Sequence, residues 1–389
     1  MLDPESRLLL LCARPQLDAP ARTVIRALLS HGLDLAAVVA AARCNFIGTL
    51  VNKHLTDAAA DLLPVATASA LVALRTTAAL RTIEIMRVQD MLSRDILQAG
   101  QIPHVFFKGA TLSQEYYGDC YLRQYRDIDV LVAPESMAAV ASALLQRGFT
   151  LYKPAGLPPQ ALRAACAFHR VLEMRAPSGV MVELHRLLDK TGLVFSTKEC
   201  LAAGVEQTMQ GTAFSALACT ELFVYLCFHH AKHRWSLLHW CADLEAFRRH
   251  PQMDEGRVLA LASQLGLRST VEEAWALRAD LNSLAMTGLT DSARASSRYL
   301  ADCLAALKAS RAGEVPVAVA ERASPHPDFR YPWQASHQYR RRARWARLHP
   351  TAWDYHALPL PAHLHWLYYL LKPLRVATSR ARRLWNPGT

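Results

Sequence analysis

The chain has 389 residues, of which 52% are hydrophobic and 20% charged. That composition excludes an intrinsically disordered protein and supplies enough chain for two or three domains. The net charge of +11 is uneven: from Gln338 to Thr389 ten Lys/Arg stand against Asp354 alone, a basic tail suited to nucleic acid, an acidic membrane surface or an acidic partner, or to a solvated helix face.

Nine cysteines are scattered without C-x-x-C pairs or zinc-finger spacing. Such a set reads as reduced core thiols of a cytoplasmic protein, not a disulfide framework. The start, MLDPESRLLLLCARP, places Asp3 and Glu5 ahead of a short apolar run, the opposite of an export signal. No stretch offers the roughly 18 uninterrupted apolar residues of a membrane-spanning helix.

Residues 1–100 read as an N-terminal helical region, with apolar residues at helical spacing in SRLLLLCARP, in ARTVIRALLSHG and from Leu62 to Ala99. The pattern changes near Gly100. IPHVFF is a buried-strand signal, KGATLSQEYYG a turn and short helix, and RDIDVLVAP a strand ended by Pro134. ESMAAVASALLQRG is a helix closed by Gly148, FTLYK a short strand, and HRVLEMRAPSGVMVELHRLL a hairpin turning at Pro177-Ser178-Gly179. Residues 101–195 thus form a mixed α/β core of about five strands. Residues 196–312 read as a helical domain, its strongest helices being CTELFVYLCFHHAKHRW and SLLHWCADLEAFRRH. Residues 313–389 hold a Pro-rich connection and the basic C-terminal segment. The fold class is α+β: a small mixed-sheet core flanked by helical regions.

The sharpest chemical signal is Arg126-Asp127-Ile128-Asp129-Val130. Alternate strand residues share a face, so Asp127 and Asp129 project together while Ile128 and Val130 enter the core. Two like charges on one face repel unless a cation joins them, and Mg²⁺ takes oxygen ligands from one or two carboxylates plus substrate phosphates. Solvated surface acids are the plain alternative. About twenty residues earlier, Lys108-Gly109-Ala110-Thr111 carries a strand into a helix. Gly109 permits a tight turn and close backbone approach, the helix N-terminus offers free N–H groups to a phosphate, and Lys108 adds a point charge. In VMVELH, Glu183 and His185 share the face opposite Val182 and Leu184. Glu183 is either a third acid or a partner of Arg175 or Arg186, and His185 either orients Glu183 or is structural. Arg123 lies in the loop before the D-x-D strand, placed to hold a phosphate, whereas Arg126 covers the sheet. Lys232, His233 and Arg234 form a basic patch at a helix end. His229 and His233 have the i, i+4 spacing of a zinc pair, but no third ligand stands out.

Strand, glycine turn, helix and D-x-D strand together resemble the core of the DNA polymerase β-like nucleotidyltransferases. KGA-x-L, YY, R-x-x-RDIDVLV, VELH and the HAKHRW run with Trp240 and Asp243 resemble one bacterial branch, the uncharacterised nucleotidyltransferases, some of which sit among peptide-biosynthesis genes. The resemblance spans roughly residues 60–375. It implies Asp127, Asp129 and Glu183 as ligands of two Mg²⁺ ions. Beside it, Lys108, Gly109, Ala110, Thr111, Arg123, Lys232 and His233 are the groups the residues themselves offer to the NTP. The expected reaction moves a nucleoside monophosphate from the NTP to a hydroxyl or phosphate acceptor, a small molecule or a peptide, with release of pyrophosphate. Where the superfamily has Gly-Ser, this chain has Gly109-Ala110, so Thr111 or backbone N–H groups stand in for the serine. The competing expectations are a nucleotide-sensing module whose basic tail binds a peptide, nucleic acid or protein, and an interfacial membrane anchor at HLHWLYYLLKPL.

Overall fold

The computed structural model describes residues 2–158, 161–290, 296–314 and 331–372. The chain forms two compact units, neither of them one continuous stretch. The first comprises 1–87, 107–126 and 205–332, the second 88–106, 127–204 and 333–389. Much of the Pro-rich connection and the last four arginines of the tail lie outside the described residues.

The first unit is mainly helical. It begins with α1 (Pro4–Cys12), α2 (Ala19–Ser30), α3 (Leu35–Cys44), α4 (Gly48–Ala59) and α5 (Val65–Met91), the last passing into the second unit at Val88. The starts of α1, α2 and α3 are set by side-chain caps: Asp3, Asp18 and Asp34 accept the N–H groups of Ser6, Ala21 and Ala37 at 2.8–2.9 Å. These bonds satisfy donors that an uncapped helix start leaves open. Continuing in chain order, β1 (His104–Phe106) belongs to the second unit and α6 (Gly109–Tyr117) to the first.

The second unit is built on five strands. They are β1, β2 (Asp127–Val132), β3 (Thr150–Lys153), β4 (Val171–Arg175) and β5 (Met181–His185), in the order β3-β4-β5-β2-β1. β2 and β5 run parallel, and the other pairs antiparallel. α7 (Met137–Gln146) packs on β3 and β5, α8 (Leu162–Phe168) on β4, and α9 (Thr197–Ala202) on β1 and β2. Ile128, Val130, Val182 and Leu184 are all buried, as are Val140, Ala141 and Leu144 of α7. This apolar side of β2 and β5 removes hydrocarbon from water and anchors the sheet, leaving the alternate positions to carry polar groups.

β6 (Gly204–Met209) and β7 (Thr212–Leu217) stand near the start of residues 196–312, the stretch read as a helical domain. These neighbouring strands are joined by Gln210-Gly211, both at positive φ (48° and 80°). That backbone is the two-residue turn whose twist matches antiparallel strands. Beyond it lie α10 (Cys219–Lys232), α11 (Leu238–Arg248), α12 (Glu255–Gln264), α13 (Arg268–Thr287) and α14 (Leu300–Arg311) of the first unit, then α15 (His337–Leu348) and α16 (Ala352–Ala357) of the second. All nine cysteines are free thiols. No described helix is long and apolar enough to cross a membrane. Helices flanking a mixed sheet give the α+β class expected from the sequence.

Candidate active site

In the second unit, β2 and β5 place acids side by side. Their parallel register pairs Asp127 with Met181, Asp129 with Glu183, and Leu131 with His185. Glu183 therefore stands directly beside Asp129, on the neighbouring strand where the third acid was expected. Asp129 is buried and Asp127 and Glu183 are half-buried. His185, also buried, brings Nε2 to 3.2 Å from Asp129 Oδ1 and 3.2 Å from Glu183 Oε2. The side-chain partner of Glu183 is thus His185 rather than Arg175 or Arg186.

Burying a carboxylate is costly unless opposite charge or hydrogen bonds compensate, and two adjacent ones compound the cost. The imidazole of His185 occupies the position a cation would take between them. One donor atom from each of Asp129, Glu183 and His185 lies within 4.8 Å of the other two, a set that could hold a metal ion. Two hard carboxylate oxygens suit Mg²⁺ or Mn²⁺, and the nitrogen is better tolerated by Mn²⁺ than by Mg²⁺. Asp127 shares the face of Asp129 one pleat earlier, roughly 6.6 Å along the strand, and is not one of the three.

In the first unit, a second group of the expected residues comes together around Lys108. Gly109 opens α6 with φ +69°, in the left-handed region that a side chain would strain. Lys108 is the extended residue capping that helix. Its Nζ lies 5.5 Å from the centre of the Phe107 ring and 5.7 Å from that of Tyr225. Burial first, then the charge of Lys108, holds the His229 imidazole well below its ordinary pKa. His233 is pushed down to about 4 by burial and by Lys232 and Lys108. Both rings are therefore neutral near pH 7, and His229 Nδ1 lies 3.2 Å from His230 Nδ1. Lys232 lies over the Phe228 ring at 4.5 Å. Ala110 and Thr111 are buried, and the Thr111 hydroxyl donates to the Lys108 carbonyl at 3.1 Å. The hydroxyl thus ties the turn to itself.

Arg123 is placed differently from its expected phosphate-holding position. It is 4% exposed, and its guanidinium donates to both Asp243 oxygens, Nε at 2.7 Å and the second nitrogen at 3.0 Å. Tyr117 donates its hydroxyl to the same carboxylate at 2.7 Å, and His230 Nε2 lies 3.6 Å away, its ring stacked on Trp240. Burial raises the Asp243 pKa, but Arg123 and then His230 outweigh it and hold the carboxyl well below the usual range. A bidentate pair of this kind joins α11 to the loop that follows α6, a scaffolding task. Arg126 lies with its guanidinium over the Phe46 ring at 4.6 Å.

Residues 31–281 match the family described as uncharacterised nucleotidyltransferase. The chain belongs to this family. The matched stretch contains both side-chain groups, Asp127 to His185 and Lys108 to His233, and stops short of α14, α15 and α16. No curated protein matches the chain in sequence. Membership of a nucleotidyltransferase family gives the carboxylates beside a potential metal position a general chemical setting, transfer from a nucleotide. His185 was visible as the face-mate of Glu183 in VELH, and His229 as the residue one turn before His233.

Proposed function

We propose that this nucleotidyltransferase family member transfers a nucleoside monophosphate from an NTP to a hydroxyl or phosphate acceptor, on a small molecule or peptide, and releases pyrophosphate. The single observation that carries the reading is the pairing of Asp129 with Glu183 across parallel strands, with His185 3.2 Å from each. Asp129 and Glu183, with Asp127 on the same face, are the residues to hold Mg²⁺, in line with the resemblance to the DNA polymerase β-like enzymes. Bound there, the metal supplies charge neutralisation for the triphosphate and for the attacking and departing oxygens.

The protein's own groups orient the reactants. Backbone N–H groups at Gly109, Ala110 and Thr111, together with Lys108, Lys232 and His233, bind triphosphate oxygens. Glu183 accepts the proton as the acceptor oxygen attacks the α-phosphorus. A new oxygen–phosphorus bond forms, the bond between the α-phosphorus and the bridging oxygen breaks, and its electron pair leaves with pyrophosphate. His185 steadies the Glu183 carboxylate through the 3.2 Å contact. Because little covalent work falls to the protein, positioning and electrostatics dominate the rate.

The test follows label from NTPs into a small-molecule extract in the presence of Mg²⁺ or Mn²⁺. Label at the α-phosphate enters product while label at the γ-phosphate emerges as pyrophosphate. Passage of γ-label into product shows phosphoryl or pyrophosphoryl transfer instead and overturns the proposal.

A further inference from the structure

A cavity of about 400 Å³ lies in the second unit, between the ends of β4 and β5 and helix α15. Four cationic residues line it: Arg170 just before β4, Arg186 just after β5, Lys190, and Arg342 of α15. Three rings line it with them, those of Phe168, Trp345 and Tyr369. The volume is that of a site for a small organic molecule.

Among the described residues, none of the four forms an ion pair with a carboxylate. Arg170 spends one nitrogen on the Leu188 carbonyl at 3.3 Å. Arg186 Nε is buried with no hydrogen-bond partner, and burial lowers the affinity of that guanidinium for its proton. The acids nearest in sequence are engaged elsewhere. Glu173 accepts from Lys153, Glu183 lies against His185, Asp189 accepts from Thr191, Val194 and Phe195, and Asp354 from Thr351 and Lys372. His349, another lining residue, is held below its ordinary pKa by burial, then by Arg186 and Lys372. A half-buried guanidinium with an unpartnered Nε, in a cavity lined by three further cationic residues, is costly to maintain without an anion. Trp345 is 59% exposed and Tyr369 38%, so two rings stand open beside those charges.

The cavity is separate from the carboxylate group. The ladder continues past β5, where Arg186 N–H donates to the Arg170 carbonyl at 3.0 Å. Arg186 therefore points to the face opposite His185. Trp345 and Arg342 also lie outside the stretch matched by the family, residues 31–281.

We propose that this cavity is a second ligand site, for a small organic anion whose phosphate or carboxylate meets Arg170, Arg186 and Arg342 and whose planar ring packs against Trp345 and Tyr369. Guanidinium forks match both oxyanions bidentately, and the rings accept a flat π-system. The site's existence does not depend on the nucleotidyl-transfer reading.

Calorimetric titration of the full chain in EDTA tests it, with AMP, indole-3-carboxylate and inorganic phosphate as probes. Using the Asp129→Asn protein alongside wild type separates this site from the metal position. Saturable binding of AMP or indole-3-carboxylate to both proteins is expected, tighter than that of inorganic phosphate, and whichever binds better identifies phosphate or carboxylate as the preferred group. Arg186→Gln and the exposed Arg342→Glu should each weaken that binding tenfold or more. Trp345→Ala should weaken the ring-bearing probes and leave inorganic phosphate unchanged. Absence of saturable binding, or equal binding by wild type and Arg342→Glu, overturns the proposal, whether or not nucleotidyl transfer is found.

Discussion

Asp129 and Glu183 are register partners on adjacent parallel strands. The first is buried and the second half-buried, so one lies under the apolar surroundings of the sheet and the other opens toward solvent. Such a pair tolerates its mutual repulsion only through a shared cation or hydrogen-bonded partner. Asp129→Asn and Glu183→Gln are each expected to lower nucleotidyl transfer by roughly 100-fold or more, the scale seen when one electrostatic contributor to a transition state is deleted. Neither exchange opens a cavity, so melting temperatures should stay close to wild type. The check is label transfer read beside a thermal melt on the same preparations.

In the proposed reaction Lys108 acts by charge on nucleotide binding, not on the chemical step. Lys108→Met should raise KM for the NTP about tenfold or more with a smaller change in kcat, since a charge-assisted contact to phosphate contributes roughly 1.5–3 kcal/mol. The variant should also let the imidazoles of His229 and His233 titrate at higher pH, because the Lys108 charge is one of the effects depressing both. NMR titration of the histidine ring protons reads that shift independently of activity.

Arg123 and Asp243 form a buried pair in the first unit, each with only a few per cent of its side chain exposed. Asp243→Asn strands a buried guanidinium and is expected to destabilise the fold by about 3 kcal/mol or more. Arg123→Leu strands the carboxylate and should act similarly, whereas the double substitution should cost less than the sum. Denaturant unfolding of the four proteins measures the coupling. A cycle with no coupling would mean the pair is not formed in solution.

Stability should fall as the pH drops below about 6.5, in two stages. His54, His230 and His233 have folded-state values near 4, lowered chiefly by burial. The unfolded chain binds protons at these positions before the folded protein can. Stability therefore declines from the unfolded histidine pKa down to about 4. Asp243 acts further down: its folded value lies below the unfolded one, so its contribution is complete above about 4 and is lost as pH falls toward the folded value. Melting temperatures between pH 8 and pH 3 should show both declines, and Asp243→Asn should remove the second.

Much of this arrangement was legible because it is local. Alternation in RDIDVLV and VMVELH puts two acids, then an acid and a histidine, on single faces, and PSG marks the β4–β5 turn. The left-handed φ at Gly109 agrees with a turn read from one glycine after a strand. What escaped was long-range or weakly patterned. The partner of Arg123 is 120 residues away, and no local period points to it, so a loop arginine near acids looked like a phosphate ligand. The β6–β7 hairpin escaped because GVEQTM and TAFSAL are short and mixed in polarity, and because its turn is Gln-Gly and not the stronger Asn-Gly signal. The cavity at Arg186 is assembled from residues flanking β4 and β5 and from α15, which follows them by more than 150 residues in sequence, and no single stretch discloses it.

The most direct measurement of the central claim is a Mn²⁺ titration of the full chain followed by electron paramagnetic resonance, with and without an NTP analogue non-hydrolysable between the α- and β-phosphates. The account predicts bound Mn²⁺ in wild type, tightened by the analogue, and loss of that binding in both Asp129→Asn and Glu183→Gln. Full Mn²⁺ binding by both variants in the presence of the analogue would contradict it.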